Sequence, residues 1–351
     1  MTATAGMKLG LALGYWGARQ PEGQPQLVAL AEELGYDSVW TAEAYGSDAL
    51  TPLAWLGAAT TRLKLCTGIV QLSARTPTAT AMAAMTIDHL SDGRMVLGIG
   101  ASGPQVVEGW YGQPYPKPLA RTREYVDILR RTFARDVVTH HGAFYRLPYD
   151  AGLGLPSSGL GKPLRSTLHP VRESIPILLA AEGPKNVAMA AEIADGWIPL
   201  FYSPHGSRFY DAALAEGFAR PAARCTPDDF EIACSVEVHL DDDVERAADR
   251  VRPFIALYVG GMGARGANFH YEAVARMGYE AECARIQDLY LEGRKAEAAA
   301  LVPTSLVEKI ALIGPKEKIR DDLAAWVESP VTTLVISADA PTLRLMAELV
   351  G

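Results

Sequence analysis

L-K-L-C-T-G-I-V-Q-L, residues 63–72, and D-H-L-S-D-G-R-M-V-L-G-I-G-A-S-G, residues 88–103, decide the fold of this chain. Leu63–Val70 is short, apolar and β-branched towards its end, which predicts a buried strand. Thr78–Leu90 lacks Gly and Pro and is rich in Ala and Met, so it predicts a helix. Met95–Gly98 is again short and apolar. Strand, helix and strand at this spacing form a βαβ unit, which demands a parallel pair and a right-handed crossover. Both strands end in glycine-bearing turns, Thr67-Gly68-Ile69 and Gly98-Ile99-Gly100-Ala101-Ser102-Gly103. In parallel α/β proteins such C-terminal strand ends are where ligands sit.

The second turn spells G-x-G-x-x-G, the dinucleotide fingerprint. That pattern works only where its last glycine opens a helix whose N-terminus holds a pyrophosphate. Here residues 104–109 allow about one and a half turns before Gly109, Gly112, Pro114, Pro116 and Pro118 break them. Several strands also precede the turn. The glycines are better read as letting backbone approach a flat ligand closely.

Working outward, Lys8–Trp16 is a first strand. Gln24–Leu34 carries Leu27, Leu30, Ala31 and Leu34 at helical spacing and stops at Gly35. Ser38–Thr41 is a second strand, residues 42–48 are its C-terminal loop, and Asp48 caps a helix running to about Arg62. After the central unit the sequence predicts a helix over Arg121–Arg135, a strand over Pro176–Ala180 and a helix over Pro184–Ala194. Strands over Gly196–Leu200, Glu231–His239 and Val331–Ser337 follow, closed by a helix over Pro341–Leu349. Two stretches break the rhythm. Residues 136–175 hold a hairpin and a Gly/Pro-rich run, too long for an ordinary connection, and predict an excursion over the active face. Residues 241–328 are helical for longer than one crossover needs and predict an inserted bundle. Eight strands alternating with helices in a single domain, 1–351, predict the α/β class and a (β/α)8 TIM barrel, with insertions after strand 4 and around strand 7.

Composition bounds what such a barrel does. With 351 residues, 49% hydrophobic and 21% charged, the chain has ample material for one large core. Its 33 basic and 41 acidic residues leave a net charge of −8, which argues against nucleic acid and against an anionic membrane surface. No apolar run is long enough to span a bilayer, and Met1–Gly10 lacks the basic-then-apolar pattern of a signal peptide. Cys66, Cys225, Cys234 and Cys283 are scattered without a C-x-x-C, as expected of free thiols in the cytoplasm. No histidine spacing supports a metal site, and neither a G-x-S-x-G elbow nor a P-loop is present.

Five stretches in order carry a resemblance: G-Y-D-S-V-W-T-A-E (35–43), T-G-I-V-Q-L-S-A-R-T-P (67–77), D-H-L-S-D-G-R (88–94), G-I-G-A-S-G-P (98–104) and A-E-G-P-K-N (181–186). Together they resemble the luciferase-like monooxygenase superfamily, and most its branch of coenzyme F420-dependent oxidoreductases. The resemblance is strong from Met7 to Leu200 and loose beyond. It implies a luciferase-like barrel that binds coenzyme F420 at its C-terminal face and moves a hydride between the deazaflavin C5 and a small organic substrate. It also implies a homodimer. Two alternatives stay open: an FMN-dependent monooxygenase of the same superfamily, and a cofactor-binding protein without turnover.

The resemblance also assigns roles. Gly68-Ile69 would form a non-prolyl cis peptide, a bulge behind the ring; the plain alternative is an ordinary strand end. Glu43 would lie near the ring as an acid–base group, desolvated by Trp40 and Tyr45; otherwise it is a surface glutamate. Ser102, Gly103, Gln105 and Val106 would bond the pyrimidine edge, or form only a tight turn. Arg75 would pair with the acidic tail of the cofactor or with Glu43, or stay solvated. Ala181, Glu182, Gly183, Pro184 and Lys185 end a strand and start a helix with Pro in its first turn, so exposed amides and the Lys185 charge favour a phosphate there; simple capping is the alternative. Asp88 and His89 lead away from the active face and read as structural. One departure matters. The sugar-phosphate and alcohol dehydrogenases of this branch carry a histidine straight after the first acid and a glutamate after the glycines of strand 4. Here Ala44 and Ala101-Ser102 stand there, so no substrate carries over from those relatives.

Overall fold

Eight short apolar strands close into a ring in the computed structural model, which describes residues 6–206 and 208–351. In ring order they are Lys8–Gly14, Ser38–Thr41, Lys64–Thr67, Met95–Gly100, Ile177–Ala180, Gly196–Ile198, Glu231–Leu240 and Thr333–Ser337. We call them strands 1 to 8. Every neighbouring pair is parallel, and the ring closes twice over: Gly10 lies opposite both Ser38 and Val335, and Glu231 lies opposite Gly196. Parallel pairing forces a crossover between successive strands, and helices supply it on the outside.

The interior is filled by one side chain from each strand: Ala12, Trp40, Cys66, Val96, Leu178, Ile198, Ala233 and Val335. Trp40 fits because Gly10 stands beside it, where a Cβ would lie 2.6 Å from Trp40 Nε1. Gly98 has no room either: a Cβ would lie 1.9 Å from the Thr67 carbonyl oxygen. Thr67 Oγ1 instead donates to the Gly98 carbonyl at 2.8 Å and accepts from the Gly98 N–H at 2.9 Å, locking strand 3 to strand 4. A larger apolar layer lies between strands and outer helices, with Leu11, Leu65, Leu97, Ile177, Trp197 and Ile336 pointing outward. Each such fully buried side chain contributes about 1.5–3 kcal/mol.

The structure departs from the sequence reading in several places. Strand 3 stops at Thr67 and resumes as Val70–Gln71, although the cis peptide bond between Gly68 and Ile69 is the one that the resemblance implies. The helix capped by Asp48 spans Leu50–Gly57 and does not reach Arg62. The amides of Thr61 and Arg62 donate instead to Glu32 Oε1 at 2.8 and 2.6 Å, which turns the chain. The helix expected over Arg121–Arg135 spans Pro118–Phe133. In the first excursion His140–His141 pairs antiparallel with Arg146–Leu147 as a small hairpin. The second contains helices Val244–Gly261, Phe269–Val274, Glu280–Leu291, Lys295–Ala300 and Thr304–Ile310. They pack around their own core of Val251, Ile255, Val259, Ile286, Leu306 and Ile310. Leu312–Gly314 then forms an unexpected strand against the outer end of strand 7. Asp88 is buried and structural, accepting from Met95 N–H at 3.1 Å and from Arg172.

Candidate active site at the barrel mouth

Strand ends 1, 2, 3, 6, 7 and 8 surround a cavity of about 240 Å³, roofed by the helix Val244–Gly261. The floor is apolar, from Ala12, Trp40, Ile198 and Val335. The roof carries Phe201, Phe254 and Tyr258, whose rings meet at centroid distances of 4.6–5.8 Å. Phe201 holds a left-handed φ of 53° in the turn after strand 6. Burial, and the neighbouring Tyr15, push the Tyr258 hydroxyl well above its usual range, so it is a neutral donor and acceptor at the rim. Polar groups on the wall are few: Thr41, Ser235, Glu237 and Ser337.

Of the residues singled out in the sequence, Gly68 lines this cavity. Ile69 turns towards strand 4, where its Cδ1 lies 3.0 Å from the place a Cβ on Gly100 would occupy. Glu43 sits behind the bulge with its side chain 3% exposed. Apolar neighbours do not enclose its carboxylate as expected; donors do. Arg75 Nη1 donates to both oxygens at 2.8 and 3.0 Å, Gln71 N–H to Oε1 at 2.8 Å, and Ala49 N–H to Oε2 at 3.2 Å. Arg75 therefore takes the Glu43 pairing of its alternatives, with Asp48 3.7 Å away on its other side. The cluster ties the loops after strands 2 and 3 together and fixes the bulge, because Glu43 N–H also donates to the Ile69 carbonyl.

Strands 3, 4 and 5 are neighbours, so their end turns stand in a row beside the cavity. After strand 4, Ser102 has φ 57° and Gly103 caps a helix of only six residues, Pro104–Gly109. Gln105 is exposed and Val106 half-buried on that helix. After strand 5, Ala181 is buried, with its carbonyl taken by Trp197 Nε1 at 2.8 Å. Gly183 then opens the helix Pro184–Ile193 with no side-chain cap, and nothing lies within 4 Å of where its Cβ would be. Lys185 is exposed there and has no ion pair among the described residues. Glu182 is half-buried as a residue, yet its Oε2 is sealed and has no hydrogen-bond partner among the described residues, while Oε1 accepts from Leu200 N–H at 3.0 Å. Burial pushes this carboxyl up to about 8, against the Leu200 N–H and the Arg276 charge, which lower it. Burial thus favours the protonated form of Glu182, which weakens its opposition to the positive helix terminus beside it.

Sequence reading missed Tyr15, Ser235, Glu237, Tyr258 and Ser337. The signal lay in strand 7, E-I-A-C-S-V-E-V-H-L, whose alternate positions Ala233, Ser235, Glu237 and His239 share one face. In a closed barrel such a polar alternation towards the C-terminal end marks the inner wall of a site.

A family model described as luciferase-like monooxygenase matches residues 10–333. The chain is 54% identical over 348 residues to a Mycobacterium tuberculosis protein provisionally named a coenzyme F420-dependent oxidoreductase, covering 99% of each. It is 26% identical over 326 residues to a 5,10-methylenetetrahydromethanopterin reductase of Archaeoglobus fulgidus, covering 92% of each. Among solved structures, the coenzyme F420 dependent tetrahydromethanopterin reductase of Methanopyrus kandleri superposes with a TM-score of 0.81 at 20% identity, over 99% of each chain, and shares the fold. The chain is therefore an enzyme of the luciferase-like monooxygenase family, on its branch of coenzyme F420-dependent oxidoreductases.

Proposed function

We propose that this chain binds coenzyme F420 and transfers a hydride between it and an organic substrate held in the barrel-mouth cavity. The observation that carries the reading is the 54% identity, over essentially the whole chain, to a relative named for that cofactor. The residues present fit the group. The uncapped helix terminus at Gly183 and the unpaired Lys185 suit the phosphate of its tail, in open space that a Cβ on Gly183 would not crowd. The half-buried Gly68–Ile69 bulge and the backbone of Ser102 and Gly103 suit a flat ring and its hydrogen-bonding edge. When bound, the deazaflavin supplies the carbon, C5, that accepts or gives the hydride.

The remaining work belongs to the chain. The Glu43–Arg75 pair holds the bulge and leaves neither charge free for the cavity. The aromatic roof covers an apolar floor, a lining that suits hydride transfer over side reactions with water. Trp55 and Met82, 51% and 62% exposed on neighbouring helices, support a homodimer. Four free cysteines support a reducing, cytoplasmic setting.

The test is titration of the purified protein with F420 and with FMN, followed by absorbance and fluorescence. F420 should bind at least about ten-fold more tightly, roughly 1.4 kcal/mol. Equal or tighter FMN binding overturns the proposal in favour of an FMN-dependent monooxygenase.

A further inference from the structure

Glu237 is the one charged side chain among the described residues that line the cavity. It stands on strand 7, opposite in the ring to strand 3 and its Gly68 bulge. The two walls thus divide between a backbone-rich face and a face that carries a carboxylate. Glu237 is 28% exposed and makes no hydrogen bond among the described residues. His239 Nε2 approaches its Oε2 to 3.3 Å but is itself without a hydrogen-bond partner, so the contact is close and misaligned. Among the described residues no Lys or Arg pairs with Glu237. Ser337 lies level with it on strand 8, and Ser235 lies one inward position below it. Around these three polar residues the cavity presents Trp40, Ile198, Phe254 and Val335.

With only a misaligned contact from His239 beside it, the Glu237 carboxylate keeps acceptor capacity that an arriving donor can fill. A second anion in the same low-dielectric space would be repelled. A donor N–H or O–H satisfies the oxygens, and a cationic one does so most strongly. A phosphate or carboxylate on a substrate would need lysines or arginines in the lining, and among the described residues there are none.

We propose that Glu237 selects the substrate: the cavity takes an uncharged or cationic, largely apolar organic molecule that presents an N–H or O–H donor to Glu237, and turns away phosphate- and carboxylate-bearing compounds. This rests on reading the cavity as the substrate pocket. It goes beyond the cofactor to the class of molecule that meets it, and it separates this chain from relatives named for glucose 6-phosphate, which share 28–30% identity with it.

The test uses three probes of one shape: benzylamine, benzyl alcohol and benzoate, which carry +1, 0 and −1 at neutral pH. Each is titrated into the full-length protein, without and with F420, by calorimetry and ligand-observed NMR. Benzylamine should bind at least ~10-fold more tightly than benzoate, with benzyl alcohol between them. Glu237→Gln, which keeps the shape, should bring the amine-to-benzoate ratio close to one and leave benzyl alcohol within about two-fold. Ser337→Lys, which sets a cation beside the carboxylate, should erase the same ratio by a different route. Benzoate binding as well as benzylamine, a ratio that survives both variants, or no saturable binding of any probe overturns the inference. F420 titration of the same samples keeps the two proposals apart. Sorting of the probes without F420 binding sinks the cofactor reading alone, and F420 binding without sorting sinks this one alone.

Discussion

Glu43 and Glu237 both stand near C-terminal strand ends beside one cavity, and their surroundings are opposite. Glu43 is 3% exposed and takes hydrogen bonds from Arg75, Gln71 and Ala49. Glu237 is 28% exposed and takes none. A buried carboxylate whose oxygens are filled is part of the frame; one whose oxygens face a cavity is available to a ligand. The carboxylate on the wall of strands 2 and 3 holds shape, while the one on the wall of strands 7 and 8 keeps the free acceptor capacity on which the proposed substrate contact rests.

The largest effect expected from this contrast is on stability. Glu43→Ala leaves the Arg75 guanidinium and two backbone N–H groups without their acceptor. Breaking a buried pair from one side costs about 3–5 kcal/mol, so the urea midpoint should fall far. Glu237→Ala removes no hydrogen bond and should change stability by less than about 1 kcal/mol. Parallel urea curves at 25 °C check both. A Glu237→Ala loss as large as that of Glu43→Ala would break the comparison, because it would make the open carboxylate structural as well.

The frame half of this contrast was partly legible in the sequence, and the open half was not. Short β-branched runs punctuated by glycine gave all eight strands, since a buried parallel strand reads as an apolar run whatever its neighbours. Gly68-Ile69 and the turn at Gly183 stood out because glycine and proline mark local backbone directly. Leu312–Gly314 was hidden because three residues between two helices carry no periodicity. The pairing of Glu43 with Arg75, 32 positions away, depends on two adjacent loops closing on each other. Glu237 was hidden for a related reason. Which alternate positions of E-I-A-C-S-V-E-V-H-L face inward is settled only when strand 7 pairs with strands 6 and 8.

A third carboxylate sharpens the comparison at a smaller scale. Glu182 is neither saturated nor open: one oxygen is bonded and the other is sealed without a partner. Burial raises it from an ordinary 4.5 to about 8. The sign follows from linkage. Between those two values the unfolded carboxyl has lost its proton while the folded one keeps it, so unfolding releases a proton and stability falls as pH rises through that window. Glu182→Gln removes the titration. From pH 5 to pH 8 the wild type should lose on the order of 2 kcal/mol relative to this variant, a figure discounted for the residue's partial exposure. Chemical denaturation of both proteins at several pH values reads the difference. Parallel pH profiles would mean that Glu182 ionises freely.

The smallest effect concerns an unpaired charge at the turn after strand 5. Lys185 follows Pro184 in the first turn of an uncapped helix, exposed, with no carboxylate in ion-pair range among the described residues. Its ammonium adds to the positive end of the helix dipole, and burial favours the protonated form of the sealed Glu182 beside it. Together they make an electropositive corner that suits the phosphate on the tail of F420. Because the lysine is exposed, its share is modest, about 0.5–1 kcal/mol, or roughly two- to five-fold in affinity. Lys185→Ala should therefore weaken F420 binding by that factor at low salt. The loss should shrink as ionic strength rises and the Debye length contracts. A deazaflavin stripped of its phosphate tail should bind both proteins alike. Raising the pH through 8 should weaken F420 binding further in either protein, as Glu182 gains its charge, and leave the stripped ligand unaffected. Fluorescence titrations of the two ligands, at two salt concentrations and two pH values, read all of this in one experiment. Equal losses for both ligands would remove Lys185 from the phosphate and make the corner part of the frame, as Glu43 is.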